Sequence, residues 1–92
     1  MKTYRVDGSK VSSKADFFAE LGRAVNGDDG YFGSNLDALA DCLRGGFGTP
    51  DNRKFRFVMT SYRDIKAALG QEAWSTVLSI FANEGVDLWL EN

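Results

Sequence analysis

Apolar residues recur along the chain with two different periods, and the order in which those periods alternate predicts the architecture. Thr3-Tyr4-Arg5-Val6 alternates and stops at Asp7-Gly8, a turn signal, which predicts a short strand. A helical period follows in Phe17, Leu21, Ala24 and Val25, with Phe18 at the stripe's edge, capped by Ser12 or Ser13 and ending near Asn26-Gly27. After the loop Gly27-Asp28-Asp29-Gly30, Leu36, Leu39 and Leu43 recur at i, i+3 and i+7 and predict a second helix. Asn35 suits its N-cap, and Gly33 before it allows backbone angles that a side chain forbids. Gly45, Gly46 and Gly48 with Thr49-Pro50 stop this helix and form a flexible connection.

Phe55-Arg56-Phe57-Val58-Met59 is the clearest strand, with Arg53, Lys54 and Arg56 as a solvated rim. Thr60 or Ser61 can cap a short helix whose apolar face is Tyr62, Ile65, Ala68 and Leu69, ending at Gly70. A longer helix runs through Ala73, Trp74, Val77, Leu78, Ile80 and Phe81 to Glu84-Gly85, and Val86-Asp87-Leu88-Trp89-Leu90 is a final strand. Trp74 and Trp89 both sit on apolar faces and are expected in the core. Helical crossovers between successive strands predict an α/β fold: a three-stranded parallel sheet with right-handed connections, covered by about four helices. No repeat or boundary divides residues 1–92, which read as one domain.

Composition narrows the function. Ninety-two residues, 43% of them apolar, suffice for one modest core, and seven Phe, three Tyr and two Trp argue against disorder. No apolar run approaches the ~18–20 residues of a membrane span, and the opening MKTYRVDGSK has no apolar segment of a signal peptide. Cys42 is alone, so it forms no internal disulfide and reads as a small core filler. A reducing, cytoplasmic setting is expected. Histidine is absent, which removes the commonest general base and transition-metal ligand. No basic stripe interleaved with aromatics points to nucleic acid. The expectation is a binding protein without catalytic residues, cofactor or metal.

The charges are segregated. From Ala24 to Leu43 there are four acids (Asp28, Asp29, Asp37, Asp41) and no Lys or Arg, in a chain whose net charge is only −2. A negative field gathered around one loop and the helix it opens points toward a basic partner. At 100° per residue Asp37 and Asp41 share an outward face, one turn apart. Asp37 lies in the first turn and gains from the helix dipole, whereas Asp41 lies beyond it. Two like charges at this spacing cost roughly 0.2–0.5 kcal/mol, small enough that a solvated helix face and a partner-binding face both stand at this point. An enzyme using the two aspartates as an acid–base pair or as Mg²⁺ ligands is disfavoured by the lack of His and of an evident cleft.

The motif Tyr31-Phe32-Gly33-x-Asn35-Leu36-Asp37-Ala38-Leu39-x-Asp41-Cys42-Leu43-x-Gly45 resembles that of the barstar family, the intracellular inhibitors of secreted guanyl-specific ribonucleases. The element order, the opening strand ending at Asp7-Gly8 and the closing Glu84-Gly85-Val86-Asp87 agree with it. The resemblance implies a 1:1 complex in which loop and helix enter the ribonuclease's catalytic groove. Asp41 would occupy the place of a substrate phosphate, and Asp37 would pair with a guanine-site Arg. Tyr31 would pack on the catalytic His, with the Gly33 backbone and Asn35 completing the contact, and Gly45 closes the matched motif. The rim departs from the pattern. Ala40 stands where the family's namesake has a Trp, Arg44 where it has a neutral polar residue, and Gly46 where it has another aromatic. Arg44 follows Asp41 by three positions, so it can pair with it or repel a cationic enzyme. Glu84 is a weak match for the family's acid on the last helix. A barstar-like module for a basic partner that is not a ribonuclease is the alternative. The inhibitor reading carries a structural requirement: neither aspartate may turn inward or be tied up by the chain's own arginines.

Overall fold

A computed structural model describes residues 1–51 and 53–92. In chain order the elements are β1 (Lys2–Asp7), a 3-10 turn (Gly8–Lys10), α1 (Lys14–Asn26), α2 (Leu36–Arg44), β2 (Phe55–Thr60), α3 (Tyr62–Leu69), α4 (Gln71–Asn83) and β3 (Asp87–Leu90). The three strands form one parallel sheet in the order β1-β2-β3, as the helical crossovers require. The 3-10 turn lies beyond the pattern in the sequence. Asp7 makes it locally, its Oδ1 accepting from the Ser9 amide at 3.0 Å and the Ser9 hydroxyl at 2.6 Å.

Register sets which side chains reach the core. Tyr4 lies opposite Phe57, and Phe57 opposite Leu88; Val6 lies opposite Met59, and Met59 opposite Leu90. This face packs against the helices through Phe17, Leu21, Leu39, Ile65, Trp74, Val77 and Phe81, all buried. Phe57 is the hub: its ring lies 5.2 Å from Tyr4, 5.7 Å from Phe32, 6.2 Å from Phe55 and 5.3 Å from Phe81. Trp74 stacks on Tyr62 with ring centroids 6.1 Å apart, which fixes α4 on α3.

Trp89 corrects one expectation. It is 49% exposed, because alternation along β3 sends Leu88 to the helices and Trp89 to the opposite face of the sheet. There the Arg56 guanidinium sits 4.2 Å from its ring, and its indole N–H donates to Asp87 Oδ2 at 3.2 Å. Arg56 is therefore half-buried rather than a solvated rim residue, while Arg53 and Lys54 are exposed. The caps also differ in part. Ser13 caps α1 through its hydroxyl, accepting from the Asp16 amide, as expected. Ser61 stands before α3 in a left-handed conformation, φ 48°, with no side-chain cap, and its carbonyl takes the Asp64 amide instead.

Among the described residues the one buried acid is Glu20. Its carboxylate accepts from the Asp7 amide at 2.8 Å and from Arg23 Nε and Nη2 at 2.7 and 2.6 Å, joining α1 to the end of β1. Burial pushes this carboxyl up, but Arg23 and the Asp7 amide outweigh it and hold it below the ordinary value.

Candidate protein-binding surface

The loop before α2 is built on one buried ring. Phe32 is fully buried against Phe57, while its neighbour Tyr31 is 50% exposed. Gly33 follows at φ +94°, and a Cβ there would come within 3.1 Å of the Leu39 amide nitrogen. Only glycine lets the chain pass so close under the first turn of α2. Asn35 then caps the helix, its Oδ1 accepting from the Ala38 amide at 2.8 Å. Leu39, Cys42 and Leu43 are buried, and Asp37 and Asp41 face outward. Burial pushes the Cys42 thiol up, with a smaller push from the Asp41 charge, as befits a core filler rather than a nucleophile.

A second strand of chain joins the first. The Asn26 side-chain amide donates to the Tyr31 carbonyl and to the Phe47 carbonyl, each at 2.8 Å. The connection after α2, expected to be flexible, is thus anchored at Phe47, and a Cβ on Gly48 would collide with Asn26. Phe47 is 43% exposed and lies 6.2 Å from Tyr31, so two aromatic rings form a lip beside the acidic helix. Phe47 is the residue that the sequence pattern missed. It stands in Gly45-Gly46-Phe47-Gly48, outside any apolar period, and an aromatic in such a position has no core to enter. Around the lip Gly46 is exposed, Ala40 and Gly45 are half-buried, and Gly33 lies buried beneath.

The requirement on the aspartates is met by Asp37 and only partly by Asp41. Asp37 is exposed, with no hydrogen bond or ion pair through its carboxylate among the described residues. Asp41 Oδ1 pairs with Arg44 Nη1 at 2.9 Å, both side chains being more than 60% exposed. Such a pair is weak in water and exchangeable for a better partner. Arg44 also reaches Glu84 at the end of α4, with Nε 3.1 and 3.2 Å from its two oxygens and Nη2 at 3.0 Å. These two acids, Glu84 first, raise the Arg44 pKa.

Asn35, Leu36 and Asp37 also line an open groove of about 600 Å³, with Phe18, Leu69 and Ala73 across it. No cleft beside the acids was expected from the sequence. Ala15 and Ala73 are too small to fill the space, which leaves Leu36 half-buried. The groove brings no second carboxylate to Asp37. Among the described residues, no group of three or more His, Cys, Asp or Glu side chains is placed to hold a metal ion. No helix among them is long and apolar enough to cross a membrane.

A parallel three-stranded sheet packed with helices thus presents a capped acidic helix beside an anchored aromatic loop. A profile of the Barstar family, described as barstar (barnase inhibitor), matches residues 1–91, and the chain belongs to that family. No curated protein matches the chain.

Proposed function

We propose that this chain inhibits a secreted guanyl-specific ribonuclease by inserting α2 and the loop before it into the enzyme's active-site groove in a 1:1 complex. A groove that binds phosphodiester must be cationic. A carboxylate already fixed on a folded helix makes charge-assisted hydrogen bonds there without first being ordered. Asp41 takes the place of a substrate phosphate, Asp37 pairs with an arginine of the guanine site, and Tyr31 packs on the catalytic histidine. Phe47 widens that apolar contact and offsets the small residues Ala40 and Gly46 on the rim.

One observation carries the reading. Asp37 and Asp41 are presented outward on a capped helix, next to a loop pinned by Phe32 and Asn26, in a window without a basic residue between Ala24 and Leu43. Complementary potentials of this kind also speed encounter and make it salt-dependent. Such a protein needs no catalytic group, cofactor or metal, binds no nucleic acid itself, and works in the cytoplasm that makes the enzyme.

The test is a titration of guanyl-specific ribonuclease activity, barnase first, with the purified chain at nanomolar enzyme. A stoichiometric endpoint is expected, and undiminished activity at micromolar inhibitor across several such enzymes refutes the proposal. A second reading, a barstar-like module for a basic partner that is not a ribonuclease, is favoured by the guanidinium of Arg44 inside the acidic face. Capture from the producing cells and their medium separates the two, since that reading expects only intracellular proteins without nuclease activity.

A further inference from the structure

Among the described residues Arg44 is the one cation on the acidic face, and its position is set from outside α2. Its Nε and Nη2 are taken by the Glu84 carboxylate, forty residues on, leaving Nη1 for Asp41. The two acids differ in setting. Asp41 is 65% exposed, whereas the Glu84 side chain is 16% exposed and lies at the cap of α4. A carboxylate at a helix C-terminus opposes the helix dipole, so Glu84 depends on a cation to offset that cost. Arg44 ends α2, where its charge suits the dipole, and its planar fork fits a two-point grip by one carboxylate.

We infer that Glu84 is a positioning residue for the binding face: it grips Arg44 through two nitrogens and so keeps this internal guanidinium from taking both oxygens of Asp41. The inference rests on the inhibitor reading of the acidic face and deepens it. A partner's arginine must compete with Arg44 for Asp41, and Glu84 weakens the competitor. It also sets the local charge. Asp41, Arg44 and Glu84 together carry −1; without Glu84 the group is neutral, and without Arg44 it carries −2. Glu84 therefore acts on the partner through Arg44, without touching it.

The experiment is inhibition of barnase by four proteins: the natural chain, Arg44→Ala, Glu84→Gln and the double variant. Each is measured at low and physiological salt, with Tm recorded alongside. Glu84→Gln is expected to weaken inhibition about tenfold when Arg44 is present and less than about threefold when it is Ala. Equal losses in both backgrounds mean that Glu84 meets the enzyme directly, and overturn the inference. Tighter binding of Arg44→Ala than of the natural chain, more so at low salt, supports it. Absence of inhibition by all four strikes the inhibitor reading instead, and the grip is then read from the free protein by NMR of the Arg44 Nε–H. A sharp signal that survives Asp41→Ala and vanishes in Glu84→Gln supports the inference. A signal lost in Asp41→Ala instead puts the guanidinium on Asp41, and overturns it.

Discussion

Asp41→Ala separates a binding role from a folding role most cleanly. In the free chain the side chain is exposed, and its one ion pair among the described residues is the solvated pair with Arg44. Its loss also removes repulsion from Asp37 one turn earlier. The expected change in Tm is within about 3 °C, in line with surface substitutions in a domain of this size. Inhibition should behave quite differently. In the groove the carboxylate is desolvated among cations, and truncating one member of a buried ion pair costs about 3–5 kcal/mol. The lower end applies here, because Arg44 already satisfies one oxygen and must be displaced, which gives roughly a 150-fold loss in Ki. The assay is barnase activity titrated with both proteins, with thermal melts of the same samples. Inhibition weakened less than threefold would show that Asp41 is only a solvated residue, and a parallel fall in Tm would show that it is structural.

Other substitutions probe the scaffold. Glu20→Gln should lower stability by about 1.5–3 kcal/mol, since it weakens hydrogen bonds to a charged acceptor, and should show in chemical denaturation. Glu20 also gives a pH dependence: its folded pKa lies below the unfolded one, so its stabilisation is full above the ordinary carboxylate range. That contribution fades as pH falls through the depressed value; the gap between natural chain and Glu20→Gln should narrow in acid, and a constant gap contradicts the assignment. Gly33→Ala should cost about 1–3 kcal/mol from strained backbone alone, and should weaken inhibition as well, because the loop moves with it. Cys42 should react with a disulfide reagent only on unfolding, so labelling that keeps pace with that of a free thiol would contradict its burial.

Local pattern was enough for the sheet and for the acidic helix. The strands and helices have clean periods, and the apolar stripe of α2 forces Asp37 and Asp41 outward wherever that helix lies. What lay beyond the pattern depends on contacts between distant segments. β3 is short and has a large apolar side chain on each face, Leu88 on one and Trp89 beside Asp87 on the other; pairing with β2 decides which of them meets the helices. The grip of Glu84 on Arg44 spans forty residues and needs α2 and α4 side by side. Phe47 reaches Tyr31 only because Asn26 holds both loops. Ser61 has the right chemistry for a cap, yet the turn out of β2 puts it in a left-handed conformation that removes its side chain from the role.

That shared amide has a chemical lifetime. Asn26 precedes Gly27, a pair in which the glycine nitrogen can attack the side-chain carbonyl and expel ammonia, after which water opens the resulting succinimide ring to an aspartate or isoaspartate. In the folded chain that nitrogen is engaged by the Arg23 carbonyl at 3.0 Å, in the last turn of α1, which holds the attack in check. Once converted, residue 26 would face the carbonyls of Tyr31 and Phe47 with a negative oxygen in place of two N–H donors. Ageing of a loosened molecule would therefore prise the two aromatic rings apart long before it disturbed the core.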